Sequence, residues 1–263
     1  MLYDVEFGNL ALCYVLMVIP LGIFLWLDLP LVRSTVVALV RMTVQLLLVG
    51  FYLQFIFKLD NTFVNCVWLF VMIGVADASI IRRAGLRLRY FAVPVAVGLA
   101  CGTLLPLLVF LHVVLDTDGF LQAQYAIPIG GMIVGNCLRA NVVGVKNFYH
   151  TVRSTEKIRL SRLAMGATLV ESTRPELRKA VEAAIGPTIA SMSTIGLVSL
   201  PGMMTGVIMG GNDPSQAIKY QMAIMISIFA GTCITVYLIL WLTSKLCFDD
   251  YGILDDKVFS DDA

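Results

Sequence analysis

Residues 185–214 read IGPTIASMSTIGLVSLPGMMTGVIMGGNDP, and residues 162–168, a little upstream, read RLAMGAT. The longer stretch is apolar enough to cross a bilayer but is crowded with Gly, Pro, Ser, Thr and Met. Pro201 and Gly202 interrupt it, which suits a pathway element better than a plain anchor, because broken backbone at membrane depth must meet protein or water. The shorter stretch is a small-residue turn inside a basic, amphipathic region, the form of a handle for a cytosolic partner. Together they predict a membrane transporter driven from outside its own chain.

Composition agrees. The chain has 263 residues, of which 59% are hydrophobic and 14% charged, with a mean hydropathy of +0.86. Soluble domains carry about 25% charged residues. Spans of roughly 20 residues leave room for about six or seven crossings and little else. The expected fold is therefore an all-α polytopic membrane protein, one permease domain over 1–263. No cleavable leader is expected, because Asp4 and Glu6 stand where a basic region would be. The six cysteines are scattered and form no CxxC pair, so neither a disulfide framework nor a zinc site is expected.

Apolar runs predict about seven helices: Asn9–Leu27, Thr35–Phe57, Phe63–Ile81, Phe91–Leu115, Tyr125–Val145, Thr188–Gly210 and Ile218–Leu246. Arg82, Arg83, Arg87 and Arg89 lie between spans three and four. Lys146, Arg153, Lys157, Arg159, Arg162, Arg174, Arg178 and Lys179 lie between spans five and six. Short cytoplasmic loops retain Lys and Arg, so both loops are placed in the cytoplasm. The other side keeps Lys58 and Lys219 beside Asp60, Asp116, Asp118 and Asp213. The N-terminus is then outside, and the acidic tail over 247–263 is cytoplasmic and expected to be solvated. Pro20 predicts a short, kinked first span.

The segment 146–187 is the expected contact with a partner. Thr173-Arg-Pro-Glu176 reads as a helix start, with Thr173 as the cap, Pro175 in the first turn and Glu176 at the capping-box position. Before it, Leu163, Ala164, Met165, Gly166, Ala167 and Thr168 read as a short helix ending in a glycine turn. The plainer reading is an amphipathic helix lying on the anionic inner leaflet, which leaves the compact turn without a purpose. RLAMGAT resembles the later half of the coupling motif that ABC transporter permeases present to their ATPase. Leu160-Ser161-Arg162 stands where that motif carries E-A-A, and the interval from Gly166 to Pro187 is longer than usual.

The MGAT turn, the basic helix ending IGPT and STIGLVSLPGMMTGVIMGGNDPSQAIKYQ resemble the FetB-type iron-export ABC permeases. Arg41-Met-Thr-Val-Gln45 and Ile127-Pro-Ile-Gly-Gly-Met-Ile-Val-Gly-Asn136 are similar to that family's other segments. The resemblance implies seven spans, a separately encoded ATPase and ATP-driven transport, and iron as cargo less firmly, since relatives include plant proteins tied to aluminium tolerance. It places Leu163 to Thr168, with Glu171, at the ATPase contact. The chain carries no phosphate loop of its own, so it is not expected to be an enzyme, and ATP and Mg belong to the partner.

Polar groups in the spans mark the expected pathway, because they are costly there. In span six these are Ser199, Pro201, Gly202, Met203, Met204, Thr205 and Gly206; Pro201 would free the carbonyl of Leu197, and Gly202 and Gly206 would allow close backbone approach. Thioethers suit soft ions better than Fe(II), and packing in a moving helix is the plainer role for Met203 and Met204. Gln45 and Asn136 join the list. Arg41 and Asp77, at similar depth, are a candidate ion pair, with a snorkelling Arg41 as the rival. Gly131 and Gly135 form a small-residue face, and Arg139 is either buried deep in span five or marks an early helix exit.

The reading is the permease subunit of an ATP-driven exporter in the cytoplasmic membrane. It pairs with a second permease and two ATPase subunits, touches lipid and no nucleic acid, and works by alternating access. A self-sufficient secondary transporter or channel remains open, as does an ABC permease for a small organic solute such as a nucleotide sugar.

Overall fold

The structure is a computed structural model that describes residues 7–59, 61–115, 121–249 and 252–254. Its elements among these residues are all helices. They are α1 (Phe7–Val15), α2 (Val18–Trp26), α3 (Val32–Leu59), α4 (Thr62–Arg83), α5 (Leu88–Val109, widening to a π turn over Phe110–Val114), α6 (Ala123–Ser154), α7 (Glu156–Ala164), α8 (Leu169–Thr194), α9 (Gly202–Met209) and α10 (Pro214–Cys247).

Six segments are long and apolar enough to cross a membrane: Gly8–Trp26, Val32–Leu59, Thr62–Arg83, Leu88–Val114, Ala123–Ser154 and Pro214–Cys247. The chain is a multi-pass membrane protein. The first segment is two helices joined by a turn at Leu16 and Met17, and Pro20 sits in the first turn of α2, where no amide is needed, rather than at a kink.

The span expected over Thr188–Gly210 is broken, as its Pro201-Gly202 interruption suggested, but over a longer stretch than one kink. Helix α8 stops at Thr194, residues 195–201 are non-helical, and α9 is only eight residues long. Local chemistry explains the stop. Ser191, Ser193 and Thr194 turn their hydroxyls back onto the carbonyls of Pro187, Ile189 and Ala190, and Gly196 takes φ +87°, which ends a right-handed helix readily. Pro201 then cannot accept a helical turn before it and pushes Leu200 out of the helical region. It therefore precedes α9 and frees no helical carbonyl at Leu197.

Helices α4, α5, α6, α8 and α10 pack around one apolar core that includes Leu69, Phe91, Leu99, Ile133, Phe148, Val236 and Ile239. Side-chain bonds fix their directions. Asn141 of α6 donates to Thr235 of α10 at 2.9 Å, and Tyr149 lies 2.8 Å from the Cys247 sulfur. The C-terminal ends of α6 and α10 therefore lie together, so these helices run the same way. Helix α8 runs against both: Arg174 and Leu177 in its first half line a cleft with Trp241 and Ser244, whereas Pro187 and Ser191 lie with Met225. Outside this bundle α3 buries only Ile56, which meets Ala123 and Ile127 while Tyr52 stacks on Trp68 with centroids 4.2 Å apart.

Close packing depends on glycine at particular places. Helices α5 and α10 touch backbone to backbone at Gly102 and Gly231; a Cβ on Gly102 would sit 2.8 Å from the Gly231 carbonyl oxygen. The small-residue face of α6 is displaced by one position from expectation. Leu69 occupies the space above Gly130, within 2.6 Å of where a Cβ would be, while Gly135 has nothing within 4 Å and Gly131 only the Met72 sulfur at 3.8 Å. Gly202 and Gly206 likewise have nothing within 4 Å, so they make no close approach inside this chain.

Overpacking a filled site costs about 1–3 kcal/mol. Gly102→Val and Gly231→Val are each expected to lower the thermal stability of the detergent-purified protein by at least that much, whereas Gly135→Val leaves it nearly unchanged. Melting curves of the three variants check the ranking.

Candidate coupling elbow and pathway

The chain reverses between α7 and α8 through a two-residue turn. Gly166 holds φ +94°, a backbone state that other residues adopt only under strain, and its amide bonds back to Leu163 at 2.9 Å. Helix α8 begins earlier than expected. Thr168, not Thr173, is the cap: its hydroxyl accepts from the Glu171 amide while the Glu171 carboxylate accepts from the Thr168 amide at 2.8 Å. This is a full capping box. These bonds hold the Glu171 carboxyl below its ordinary range. Thr173 instead returns its hydroxyl to Leu169 at 2.8 Å.

Glu176 has a different task from the one expected. It is buried and accepts from Arg162 at 3.1 Å and from the Thr155 hydroxyl at 3.0 Å. Arg162 also donates to the Ser172 carbonyl at 2.8 Å. A charged brace thus joins the end of α6, α7 and α8 into one stiff elbow. At its tip Met165 is 79% exposed and Val170 70% exposed, beside Ala164 and Gly166, which are also exposed, and the half-buried Ala167. Leu163 points inward. It meets Gly252 of the segment after α10, whose carbonyl accepts from the fully buried Arg159. Arg159 also lies 4.7 Å from the centre of the Phe248 ring, and Asp249 accepts from the Ile253 amide at 2.6 Å. Phe248, Gly252 and Leu254 are therefore docked, while Asp249 stays exposed as expected; Asp250 and the acidic residues from Asp255 onward lie outside the described residues.

The non-helical link 195–201 borders the second feature. Gly196 donates to the Ser199 carbonyl at 3.0 Å and Ile195 bridges to Ser199, but the amide of Leu200 meets no acceptor among the described residues. A groove of about 690 Å³ lies beside it, lined by Met192, Leu200, Met204, Gln221, Met222 and Met225. Met225 also closes a cavity of about 290 Å³ between α6, α8 and α10, whose mixed wall sets Asn136, Arg139, Thr188 and Ser191 among apolar residues such as Val143 and Pro187. Asn136 and Met204 are thus brought near one another's cavities. Met203 packs against the main core, and Thr205 bonds its hydroxyl to Pro201 at 2.8 Å. Helix α6 runs on to Ser154, so Arg139 marks no helix exit.

Gln45 and Arg41 lie elsewhere, in a shallow cleft between α3 and α4 with Trp68 and Arg83. No ion pair joins Arg41 to Asp77 among the described residues. Arg41 is exposed, while Asp77 is buried with its Oδ1 unpartnered. Asp77 and Trp68 are nine positions apart, half a turn round a helix of 3.6 residues per turn, so the carboxylate faces away from α3. Similar depth put the two charges level but on opposite sides of α4. The Arg162–Glu176 brace was missed; its one signal in the sequence is a pair of opposite charges flanking a glycine turn.

An all-helical bundle with six segments apolar enough to cross a membrane describes a multi-pass membrane protein. The chain belongs to the uncharacterised protein family UPF0014, whose pattern matches residues 7–248. It is similar to the Escherichia coli (strain K12) protein named "Probable iron export permease protein FetB", with 30% identity over 244 residues and 92% of each chain covered. The rice (Oryza sativa subsp. japonica) UPF0014 membrane protein STAR2 is 34% identical over 233 residues, 86% of this chain and 78% of that one. The Arabidopsis thaliana protein ALUMINUM SENSITIVE 3 is 33% identical over 225 residues, 84% of this chain and 80% of that one. No solved structure matches the chain.

Hydrogen bonds to charged groups contribute about 1.5–3 kcal/mol, so Arg162→Ala, which strands a buried carboxylate, is expected to destabilise the elbow by that order. The Arg162→Ala/Glu176→Ala double variant loses less than the sum of the single changes, as read from a double-mutant cycle of melting temperatures. Because the Glu171 carboxyl is held low in the folded state, its contribution is full above the ordinary carboxylate range and disappears as pH falls through the folded value. Glu171→Gln removes that part of the acid dependence, which a stability profile between pH 3 and 7 reads directly.

Proposed function

We propose that this chain is the permease subunit of an ATP-driven exporter, working as a pair of permeases with two copies of a separate ABC ATPase. The observation that carries the reading is the elbow. It is short, stiff and tipped with exposed Met165 and Val170, and it leads directly into the broken segment α8–α9. A partner that moves the elbow moves the wall of the pathway. Stiffness matters because a loop that yielded would absorb the stroke, and the Arg162–Glu176 brace and the capping box oppose that.

The topology is seven crossings with the N-terminus outside and the C-terminus in the cytoplasm. Because α6 and α10 run the same way, the chain must return between them, and α8 with α9 is the segment that makes the return. It crosses as a discontinuous helix, which at membrane depth is tolerated beside protein or a hydrated cavity and is the form that substrate-binding segments take in many transporters. The unpartnered amide of Leu200 fits that setting. Iron as cargo draws its support from the name of the Escherichia coli relative; alternating access moves it from the cytoplasm outward.

Two measurements test the reading. Single cysteines at Asn212 are expected to react with an impermeant reagent in intact cells, and cysteines at Glu171 only after permeabilisation; the reverse pattern overturns the topology. Gly166→Val is expected to insert normally but to recover at least tenfold less ATPase on purification from native membranes, or to hydrolyse ATP without moving iron into inverted vesicles. The cause is backbone strain, since the space around Gly166 is open. A fully coupled Gly166→Val complex removes the elbow from the mechanism.

A further inference from the structure

Arg139 stands 16 positions into α6, about 24 Å along a helix that rises 1.5 Å per residue. That is within a hydrocarbon core of about 30 Å, where a charged side chain is costly and is tolerated facing a cavity or another protein group. It lines the cavity between α6, α8 and α10. Its Nη2 donates to the Asn136 Oδ1 at 3.0 Å, and the Asn136 amide is in turn anchored to the Met132 carbonyl at 2.8 Å. The guanidinium is tethered at one nitrogen and otherwise exposed, and four of its five donors have no protein acceptor among the described residues.

The rest of the wall is informative through its charge. Neither this cavity nor the methionine-lined groove that meets it at Met225 has a carboxylate, imidazole or thiol in its lining, and no metal-holding group of His, Cys, Asp and Glu occurs among the described residues. A bare divalent cation would meet a fixed positive charge there, with only thioethers, amides and hydroxyls to replace its water. A planar guanidinium with a free fork of donors suits the opposite ligand, a carboxylate or phosphate held by two parallel bonds.

We infer that Arg139 binds an anionic group on the transported solute, so that the cargo is an organic anion or a metal ion enclosed in an anionic chelate, and not the free cation. The inference rests on the permease reading but is tested without the ATPase. The anionic group sits on Arg139 and the less polar remainder extends into the groove past Met225, whose volume of about 690 Å³ accepts a small organic molecule.

The test is equilibrium binding to the full-length permease in nanodiscs of labelled citrate, ferric citrate, glucose 6-phosphate and ferrous iron alone. At least one anion is expected to bind saturably, with affinity falling as salt rises. Arg139→Gln weakens that binding tenfold or more, and Arg139→Lys, which keeps the charge and loses the fork, weakens it less. Absence of binding by all three anions overturns the inference. So does anion binding indifferent to Arg139→Gln, ferrous iron binding that strengthens in that variant, or an Arg139→Lys protein of unchanged size that binds no anion. Each of these results leaves the ATPase coupling untouched, and a permease that recovers no ATPase leaves the anion site standing.

Discussion

The contact between Gly102 and Gly231 governs how the bundle is arranged. Without side chains at these positions α5 and α10 approach until backbone meets backbone, which sets Thr235 within reach of Asn141 at 2.9 Å. That bond, with the Tyr149 hydroxyl 2.8 Å from the Cys247 sulfur, holds α6 parallel to α10. In a lipid solvent, packing and interhelical hydrogen bonds replace the hydrophobic drive between helices, so a small-residue seam carries weight that a leucine seam would carry in water. The parallel pair then obliges the intervening chain to travel back along the bundle.

The returning chain joins two kinds of structure. At one end it is braced, with a full capping box, a half-buried ion pair and a glycine in the left-handed state. Further along it loosens into a segment whose backbone is only partly satisfied. The return segment is thus braced beside the basic loops and non-helical over 195–201. Hydroxyls turned onto the backbone of α8 and the proline ahead of α9 create the soft part without any insertion of sequence.

Apolar runs and basic loops made the helical class, most crossings and the break near Pro201 legible, because bilayer thickness and charge retention act on composition over twenty residues at a time. The turn between α7 and α8 was legible through Gly166. What could not be read was azimuth. Asp77 and Arg41 share a depth but not a side, and Gly130 rather than Gly131 meets Leu69, a difference of about 100° around one helix. The Thr168 cap was overlooked because Thr173-Arg-Pro-Glu176 offers the same chemical pattern five residues later, and only the fold of the elbow decides between them. Arg162 and Glu176 come together across a reversal of the chain, a distance that periodicity within one helix does not measure.

The turn after α10 gives the protein a mechanical joint. Phe248 and the Gly252 carbonyl clasp Arg159 of α7, and Gly252 leaves room for the Leu163 side chain. The last crossing helix is therefore geared to the elbow at one end and to α5 at Gly231. A displacement of the elbow would turn α10 with it, like the shaft of a crank. Any cargo fused close behind Leu254 would hang on that shaft and load it, so a tag placed there changes the moving part itself.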